Sequence, residues 1–225
     1  MEPFIITFIS GISTLFGIIP TYINSKYKEY IIKFSLLFSS FAMIYVSIFS
    51  LVPEAINYIG ISFKNIIFLI ILIGIGIIIS KYVDTSLNSI SSNSLYKLGL
   101  INLLVLILHN IPEGIITFLT SSNDIKLGIT IAIAITLHNI PEGISIAIPI
   151  YYSTNNRKLA FIYTFISGFS ELFGGIISYI FLNKFINNNN TLFIILSITS
   201  GIMLYLALFE LLPNALKKED YSSSL

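Results

Sequence analysis

The chain has no cysteine, no tryptophan, only two histidines and few charges. Without cysteine it can form neither disulfides nor thiolate metal sites, so any metal site must use nitrogen and oxygen ligands. Charged residues make up 10% of the 225 residues, and the net charge is +1 without a basic cluster, which argues against nucleic-acid binding. Hydrophobic residues make up 55%, far above the balance of a globular domain. The composition therefore indicates an integral membrane protein.

Seven apolar runs are each about as long as a membrane-spanning helix requires. We predict an all-α polytopic membrane helix bundle, in one transmembrane domain over 1–225, that contacts the lipid bilayer. The polar segment 81–97 is predicted to be a cytoplasmic loop. The predicted helices cover residues 4–23, 34–56, 63–80, 98–119, 127–150, 159–183 and 191–212.

The distribution of basic residues predicts how the helices are oriented. The N-terminus has no basic n-region and no cleavage signal, so its first apolar run is expected to be a retained helix. An outside N-terminus places nine basic residues in the cytoplasm and only Lys64, Lys126 and Lys184 outside. This satisfies the positive-inside rule. With seven helices the C-terminus is expected in the cytoplasm.

Two parts of the chain are related by an internal repeat. Residues 8–17 and 165–174 match at eight of ten positions, and residues of 43–55 recur in 203–215. Because five helices separate the start of each copy, the copies insert with opposite orientation, as in the inverted repeats of secondary transporters. The third helix has no repeat partner, so an eighth helix is expected and missing.

The hexapeptide His-Asn-Ile-Pro-Glu-Gly occurs twice, at 109–114 and 138–143, and contains both histidines. Residues four apart share one helix face, so His109 approaches Glu113 and His138 approaches Glu142. Imidazoles and carboxylates inside a bilayer are costly without partners. Together they form a nitrogen and oxygen ligand set suited to zinc, iron(II), manganese, cobalt or cadmium.

The rest of the motif suggests a second, adjoining metal position. Asn110 and Asn139 are rotated by about 100° from the histidines, toward a place that Glu113 or Glu142 could also reach. Pro112 and Pro141 are expected to kink their helices and to free carbonyls for an ion pathway.

Further carboxylates lie in or near the apolar spans. Glu171 replaces Thr14 of the first repeat, which suggests a ligand role for Glu171. Ligand and solvated roles are evenly balanced for Glu54 and Glu210, because nearby prolines place them close to helix ends. Asp84, at the cytoplasmic margin, is expected to be solvated.

The paired motifs, together with Ser-Gly-x-x-Glu in 167–171 and Glu-Leu-x-Pro in 210–213, resemble the ZIP (Zrt-, Irt-like) divalent metal transporter family, in particular its bacterial ZupT-like branch. The resemblance covers essentially the whole chain. It implies uptake of a divalent metal into the cytoplasm through the cell membrane. By matching positions it implies His109, Glu113, His138 and Glu142 as primary ligands, with Asn110, Asn139 and Glu171 completing a neighbouring site.

The resemblance also implies an elevator-like arrangement, in which helices 1, 4, 5 and 6 carry the metal against a scaffold, commonly within a homodimer. Two features depart from the family. The eighth helix is absent, and Ser50 stands where relatives often have an acidic residue. The loop 81–97 also lacks the histidines with which many relatives sense metal, so regulation through this loop is not expected.

The leading hypothesis is a secondary transporter that takes up zinc by alternating access, with no cofactor and no enzymatic activity. The alternative is an intramembrane zinc-dependent hydrolase that uses a metal-bound water as nucleophile. It lacks the His-Glu-x-x-His arrangement with a non-ligand glutamate as base. A metal-sensing receptor is a third reading, against which the lack of a soluble sensory domain counts.

Overall fold

The computed structural model describes residues 1–23, 25–87, 94–182 and 189–217. Seven helices in these ranges are long and apolar enough to cross a membrane, with mean hydropathies of 1.5 to 2.7. The predicted polytopic helical bundle is therefore confirmed. The helices are α1 (Glu2–Tyr22), α2 (Lys28–Ile59), α3 (Phe63–Leu87), α4 (Ser94–Asn123), α5 (Ile125–Thr154), α6 (Arg157–Ile177, continued by Ser178–Leu182) and α7 (Asn189–Leu216).

The helices extend beyond the apolar runs from which they were predicted. Helix α3 continues to Leu87 and α4 begins at Ser94, so both ends of the predicted loop 81–97 are helical. The rest of the predicted loop, residues 88–93, lies outside the described residues. Polar residues continue these helices because main-chain hydrogen bonds do not depend on side-chain hydropathy.

Four helices depart locally from α-helical geometry. The second half of α1, Ser13–Tyr22, is a 3₁₀-helix, and α6 ends in a π-helical turn at Ser178–Leu182. Helices α2 and α7 each contain a π-helical turn, at Ser47–Leu51 and Leu206–Leu211. These two turns directly precede Pro53 and Pro213, which correspond in the internal repeat. A proline cannot donate to the carbonyl four residues earlier and clashes with it, and widening the preceding turn relieves the clash.

The helices form two units, and within each unit they approach one another closely at glycines. In the four-helix unit (α1, α4, α5 and α6), a side chain at Gly143 would collide with the Thr14 carbonyl and one at Gly114 with the Glu171 carbonyl. In the three-helix unit (α2, α3 and α7), Gly76 lies against the Ile198 carbonyl and Gly201 against that of Ile73. Among the described glycines, every such approach between helices joins members of one unit. Each unit is therefore tightly packed within itself.

Contacts inside the four-helix unit follow the internal repeat. Gly11 of α1 and Gly168 of α6 occupy equivalent repeat positions, and each lies against the carbonyl of the other. The contacts of Gly143 with Thr14 and of Gly114 with Glu171 form a second equivalent pair, because Thr14 corresponds to Glu171. The unit thus has approximate twofold symmetry that exchanges α1 with α6 and α4 with α5.

The surface of the bundle is apolar along much of its length. Large exposed side chains include Phe34, Phe41, Ile70, Ile78 and Leu137. Such a surface suits lipid rather than water, because exposed contiguous apolar area of this extent is rare on soluble proteins. With its seven spanning helices, the chain is a multi-pass membrane protein.

Candidate metal centre

The two hexapeptide motifs meet in the interior of the four-helix unit. Both lie near the middle of their antiparallel helices, α4 and α5. His109, Glu113 and Glu142 are at most 2% exposed, whereas the His138 side chain is 10% exposed. The ring centroids of the two histidines are 6.4 Å apart. His109, Glu113 and His138 offer ligand atoms within 4.8 Å of one another, and Glu142 lies against His109.

Glu113 is the link between the two histidines. Its Oε1 lies 3.1 Å from His109 Nε2 on the same helix and 2.7 Å from His138 Nε2 on the neighbouring helix. Among the described residues, His138 forms no ion pair with Glu142 within 4.0 Å, and its nearest carboxylate is that of Glu113. His138 instead contacts Glu113 across the boundary between α5 and α4.

Glu142 completes this cluster from α5. Its Oε1 lies 3.2 Å from His109 Nε2, yet neither carboxylate oxygen accepts a hydrogen bond from the described residues. A zinc ion with bonds of about 2.0–2.1 Å holds tetrahedral ligand atoms roughly 3.3 Å apart. The spacings of 3.1 Å and 3.2 Å from His109 Nε2 to the two carboxylates are close to that edge.

The two asparagines are held in equivalent ways. Asn110 Nδ2 donates to the Ser167 carbonyl at 2.9 Å, and Asn139 Nδ2 donates to the Ser10 carbonyl at 3.0 Å. Ser10 and Ser167 correspond in the internal repeat. Because each amide nitrogen is committed to a carbonyl, each Oδ1 is fixed on the opposite side, where it accepts no hydrogen bond from the described residues. Each asparagine thus presents an unused oxygen inside the unit.

Glu171 lies beside Asn139 and is fully buried. Its Oε2 accepts a hydrogen bond of 2.9 Å from Asn139 Nδ2, and its Oε1 has no donor among the described residues. The structure therefore places Glu171 beside Asn139, and its ligand role stays a prediction. Its counterpart Thr14 instead donates to the Gly11 carbonyl at 2.7 Å.

Six buried oxygen atoms of this site accept no hydrogen bond from the described residues. The basic residues of α4 and α5, Lys97 and Lys126, lie near the ends of their helices, far in sequence from the motifs. Buried carboxylates without counter-charge are strongly destabilising unless a cation or protons compensate them. A metal cation satisfies such a set. The acceptors without a donor are Asn110 Oδ1, Glu113 Oε2, Asn139 Oδ1, both Glu142 oxygens and Glu171 Oε1.

Both motif helices remain continuous through Pro112 and Pro141. The Pro141 carbonyl accepts a hydrogen bond from Ser39 of α2 at 2.5 Å. Asn102 donates at 2.5 Å to the Ser145 carbonyl, which Pro149 leaves without its usual helical donor. Sequence reasoning did not single out Ser39 or Asn102, although the position of Pro149 marks Ser145 as a carbonyl in need of a donor.

Three other acidic residues lie outside the cluster. Glu54 is near the end of α2, and Glu210 lines a cavity at the opposite end of the bundle together with Asp84. Asp84 is not simply solvated, contrary to expectation. It accepts a hydrogen bond from the Tyr205 hydroxyl at 3.0 Å and lies 3.5 Å from Lys97 Nζ.

Comparison with known proteins agrees with this arrangement. A family model described as ZIP Zinc transporter matches residues 82–225, which include both motifs and Glu171. The chain is 36% identical to the zinc transporter ZupT of Clostridium perfringens over 97% of this chain and 88% of that protein.

Two further relatives have the same name. The zinc transporter ZupT of Oceanobacillus iheyensis is 35% identical, over 99% of this chain and 91% of its own length. That of Campylobacter jejuni is 31% identical, over 98% and 89%. Similarity of this extent, joined to paired motifs that converge in the membrane, shows that the chain belongs to the ZIP family of zinc transporters.

Proposed function

We propose that the protein takes up divalent metal cations, zinc foremost, into the cytoplasm. The observation that carries this proposal is the buried cluster of His109, Glu113, His138 and Glu142, which has two carboxylates and no basic residue at its depth. Two carboxylates and two neutral imidazoles neutralise one dication. Iron(II), manganese, cobalt and cadmium also accept such ligands, so the donor set alone does not restrict transport to zinc.

The site is proposed to be binuclear. The first position comprises His109, Glu113, His138 and Glu142. The second comprises Asn110, Asn139 and Glu171, and Glu113 or Glu142 bridges the two. The amide oxygens and Glu171 Oε1 support this arrangement, because they are buried acceptors beyond those that one tetrahedral ion requires.

The proposed orientation places the N-terminus outside the cell. The C-terminal ends of α1, α3, α5 and α7 then face the cytoplasm. Nine of the twelve basic residues lie on that side. The positive-inside rule supports this orientation.

Transport is proposed to proceed by alternating access, with the four-helix unit moving against the three-helix unit. The close approaches at glycines support this division, because they join helices within each unit. All seven proposed ligands belong to the four-helix unit. An ion bound there can therefore travel with one packed body. A homodimer in the lipid bilayer is the proposed assembly.

Membership in a transporter family favours transport over the intramembrane hydrolase. The geometry favours it as well, because both motif glutamates lie within 3.2 Å of a histidine nitrogen and neither stands apart as a base.

The proposal is tested by reconstituting the protein in proteoliposomes and measuring uptake of radioactive zinc, iron, manganese and cadmium, with and without a pH gradient. Zinc uptake is expected, and failure of every metal contradicts the proposal. The ion count is tested separately by equilibrium dialysis of detergent-solubilised protein. Two zinc ions per chain are expected, falling to one in Glu171→Gln, and one ion in both proteins contradicts the binuclear site.

A further inference from the structure

The facing surfaces of α2 and α5 are buried in one half of the membrane and exposed in the other. On α5, residues spaced by three and four from Pro141 share one helix face. Toward the cytoplasmic end this face is buried, with Ile144 at 8% and Ile148 at 0% exposure. Toward the outer end this face is exposed, with Leu137 at 66% and Ile133 at 58%.

Helix α2 changes in the same way. Its face that includes Ser39 is buried at Ile32 and Ser35, toward the cytoplasm, and exposed at Ser50 and Pro53, toward the outside. The hydrogen bond from Ser39 to the Pro141 carbonyl lies where burial gives way to exposure. The two helices therefore contact each other in the cytoplasmic half and separate in the outer half.

Two lysines, one from each helical unit, form contacts between the units at the cytoplasmic end. Lys28 of α2 lies over the Tyr152 ring of α5, with Nζ 5.6 Å from the ring centroid. Lys97 of α4 lies 3.5 Å from Asp84 of α3. Both contacts cross from one helical unit to the other, and both lie at the cytoplasmic end. An outer cavity of about 240 Å³ between α2, α4, α5 and α7 is lined by Tyr58, Thr120 and Leu127.

The Asp84–Lys97 pair is the better anchored of these contacts. The side chains of Lys97 and Asp84 are 25% and 18% exposed, so water screens them less than a fully exposed pair. Tyr205 of α7 donates to the other oxygen of Asp84, which fixes the carboxylate against the three-helix unit. Asp84 and Lys97 line a second cavity, at the cytoplasmic end, together with Glu210 and Lys217. Its volume is about 240 Å³.

We propose that the Asp84–Lys97 ion pair is a cytoplasmic lock of the transport cycle. It ties the inner ends of the two units together, and it breaks when the four-helix unit moves to release a cation inward. Lys97 is the element of the lock that travels, and Asp84 with Tyr205 is the stationary receptor. This inference rests on the transport function and orientation proposed above.

The absence of cysteine makes the lock directly testable by thiol labelling. Thr130→Cys reports on the exposed outer face of α5, and Ser35→Cys reports on the buried cytoplasmic face of α2. A membrane-impermeant maleimide is applied to whole cells for the first reporter and to inverted vesicles for the second. In the parent protein, labelling is expected to be fast at position 130 and slow at position 35.

Removal of the lock is expected to reverse this preference. Lys97→Ala and Asp84→Ala should each raise labelling at position 35 and lower it at position 130 by roughly 1.4- to fivefold, the range of an ion pair near the surface. The exchanged double variant Lys97→Asp with Asp84→Lys should restore most of the parent pattern. Lys33→Ala is the matched control, because its partner Glu29 lies on the same helix.

Unchanged labelling in both single variants would overturn the lock, as would a double variant no better than the singles. The single variant Lys97→Ala keeps the test decisive if changes at Asp84 prevent folding. Zinc uptake by the parent protein is measured on the same vesicles. Loss of uptake with intact labelling changes counts against the transport proposal alone, whereas uptake with unchanged labelling counts against the lock alone.

Discussion

His138 Nε2 lies 2.7 Å from Glu113 Oε1, across the boundary between α5 and α4. Glu113 thereby contacts both histidines, whereas the only histidine within 4.0 Å of Glu142 among the described residues is His109. The site is consequently not the sum of two independent motifs. Its two halves are joined through one carboxylate, and the consequences of a substitution depend on which half it affects.

Glu113→Gln is expected to impair metal binding more than Glu142→Gln does. It removes the negative charge that faces both imidazoles and leaves an amide in its place. We expect zinc affinity to fall by at least about 100-fold, above the upper range for outer-shell changes. Isothermal titration of the purified protein measures this, with Glu29→Gln on the exposed part of α2 as control. Affinity within a few fold of the parent would contradict the central role of Glu113.

Asn139→Asp is expected to destabilise the protein more than Asn110→Asp. At position 139 an ionised carboxylate would face both the Ser10 carbonyl and Glu171, to which Asn139 now donates. At position 110 it would face the Ser167 carbonyl, while the Ser167 hydroxyl 3.3 Å away can supply a donor. Each lost buried donor costs about 1–3 kcal/mol. Thermal unfolding in detergent tests the order, and equal melting temperatures for the two variants would refute it.

Alanine at Gly114 or Gly143 is expected to destabilise the four-helix unit. The added Cβ would collide with the carbonyl of Glu171 or of Thr14, neither of which is the end of a flexible side chain. Overpacking of this kind costs about 1–3 kcal/mol. Gly74→Ala is the matched control, because no atom lies within 4 Å of its Cβ position. The melting temperatures of fluorescent fusion proteins, measured by size-exclusion chromatography after heating, distinguish these variants from the control. If Gly74→Ala is as unstable as Gly143→Ala, the packing explanation is rejected.

Zinc affinity is expected to fall as the pH falls from about 7.5 to 5.5. Metal ligands must be deprotonated, so protons compete with the ion for the imidazoles and carboxylates of the motifs. Stability of the ion-bound form should therefore be greatest at the upper end and be lost toward acid pH. Titrations at constant ionic strength measure the trend, and affinity that rises on acidification would disprove it.

Helix positions were accessible from the sequence because a membrane span needs a long apolar run, and each run between Glu2 and Leu216 became a helix. The residues of the candidate site were equally accessible, since His109 and Glu113 are costly in lipid without a cation. The contact of His138 with Glu113 could not be predicted, because it depends on how α5 packs against α4, and hydropathy contains no information on that packing. The π-helical turns before Pro53 and Pro213 were also missed. A proline marks a disturbance, but packing decides whether the helix kinks or widens.

Asp84 illustrates the same limit for charges. A carboxylate at a helix end is ordinarily solvated, and only the tertiary structure brings Tyr205 and Lys97 to it from two other helices. Ser10 and Ser167 were visible as matched residues of the repeat, yet they act through their carbonyls. Side-chain chemistry therefore could not reveal their role in orienting the asparagines.

We infer that the paired motifs bind the cation that crosses the membrane. Uptake of radioactive zinc into proteoliposomes is measured for the parent protein, His109→Ala and Glu142→Ala, with Glu29→Gln as control and equal amounts of inserted protein verified for each. We expect both motif variants to lose uptake while the control retains it. Undiminished uptake in both motif variants would show that the motifs do not bind the transported cation.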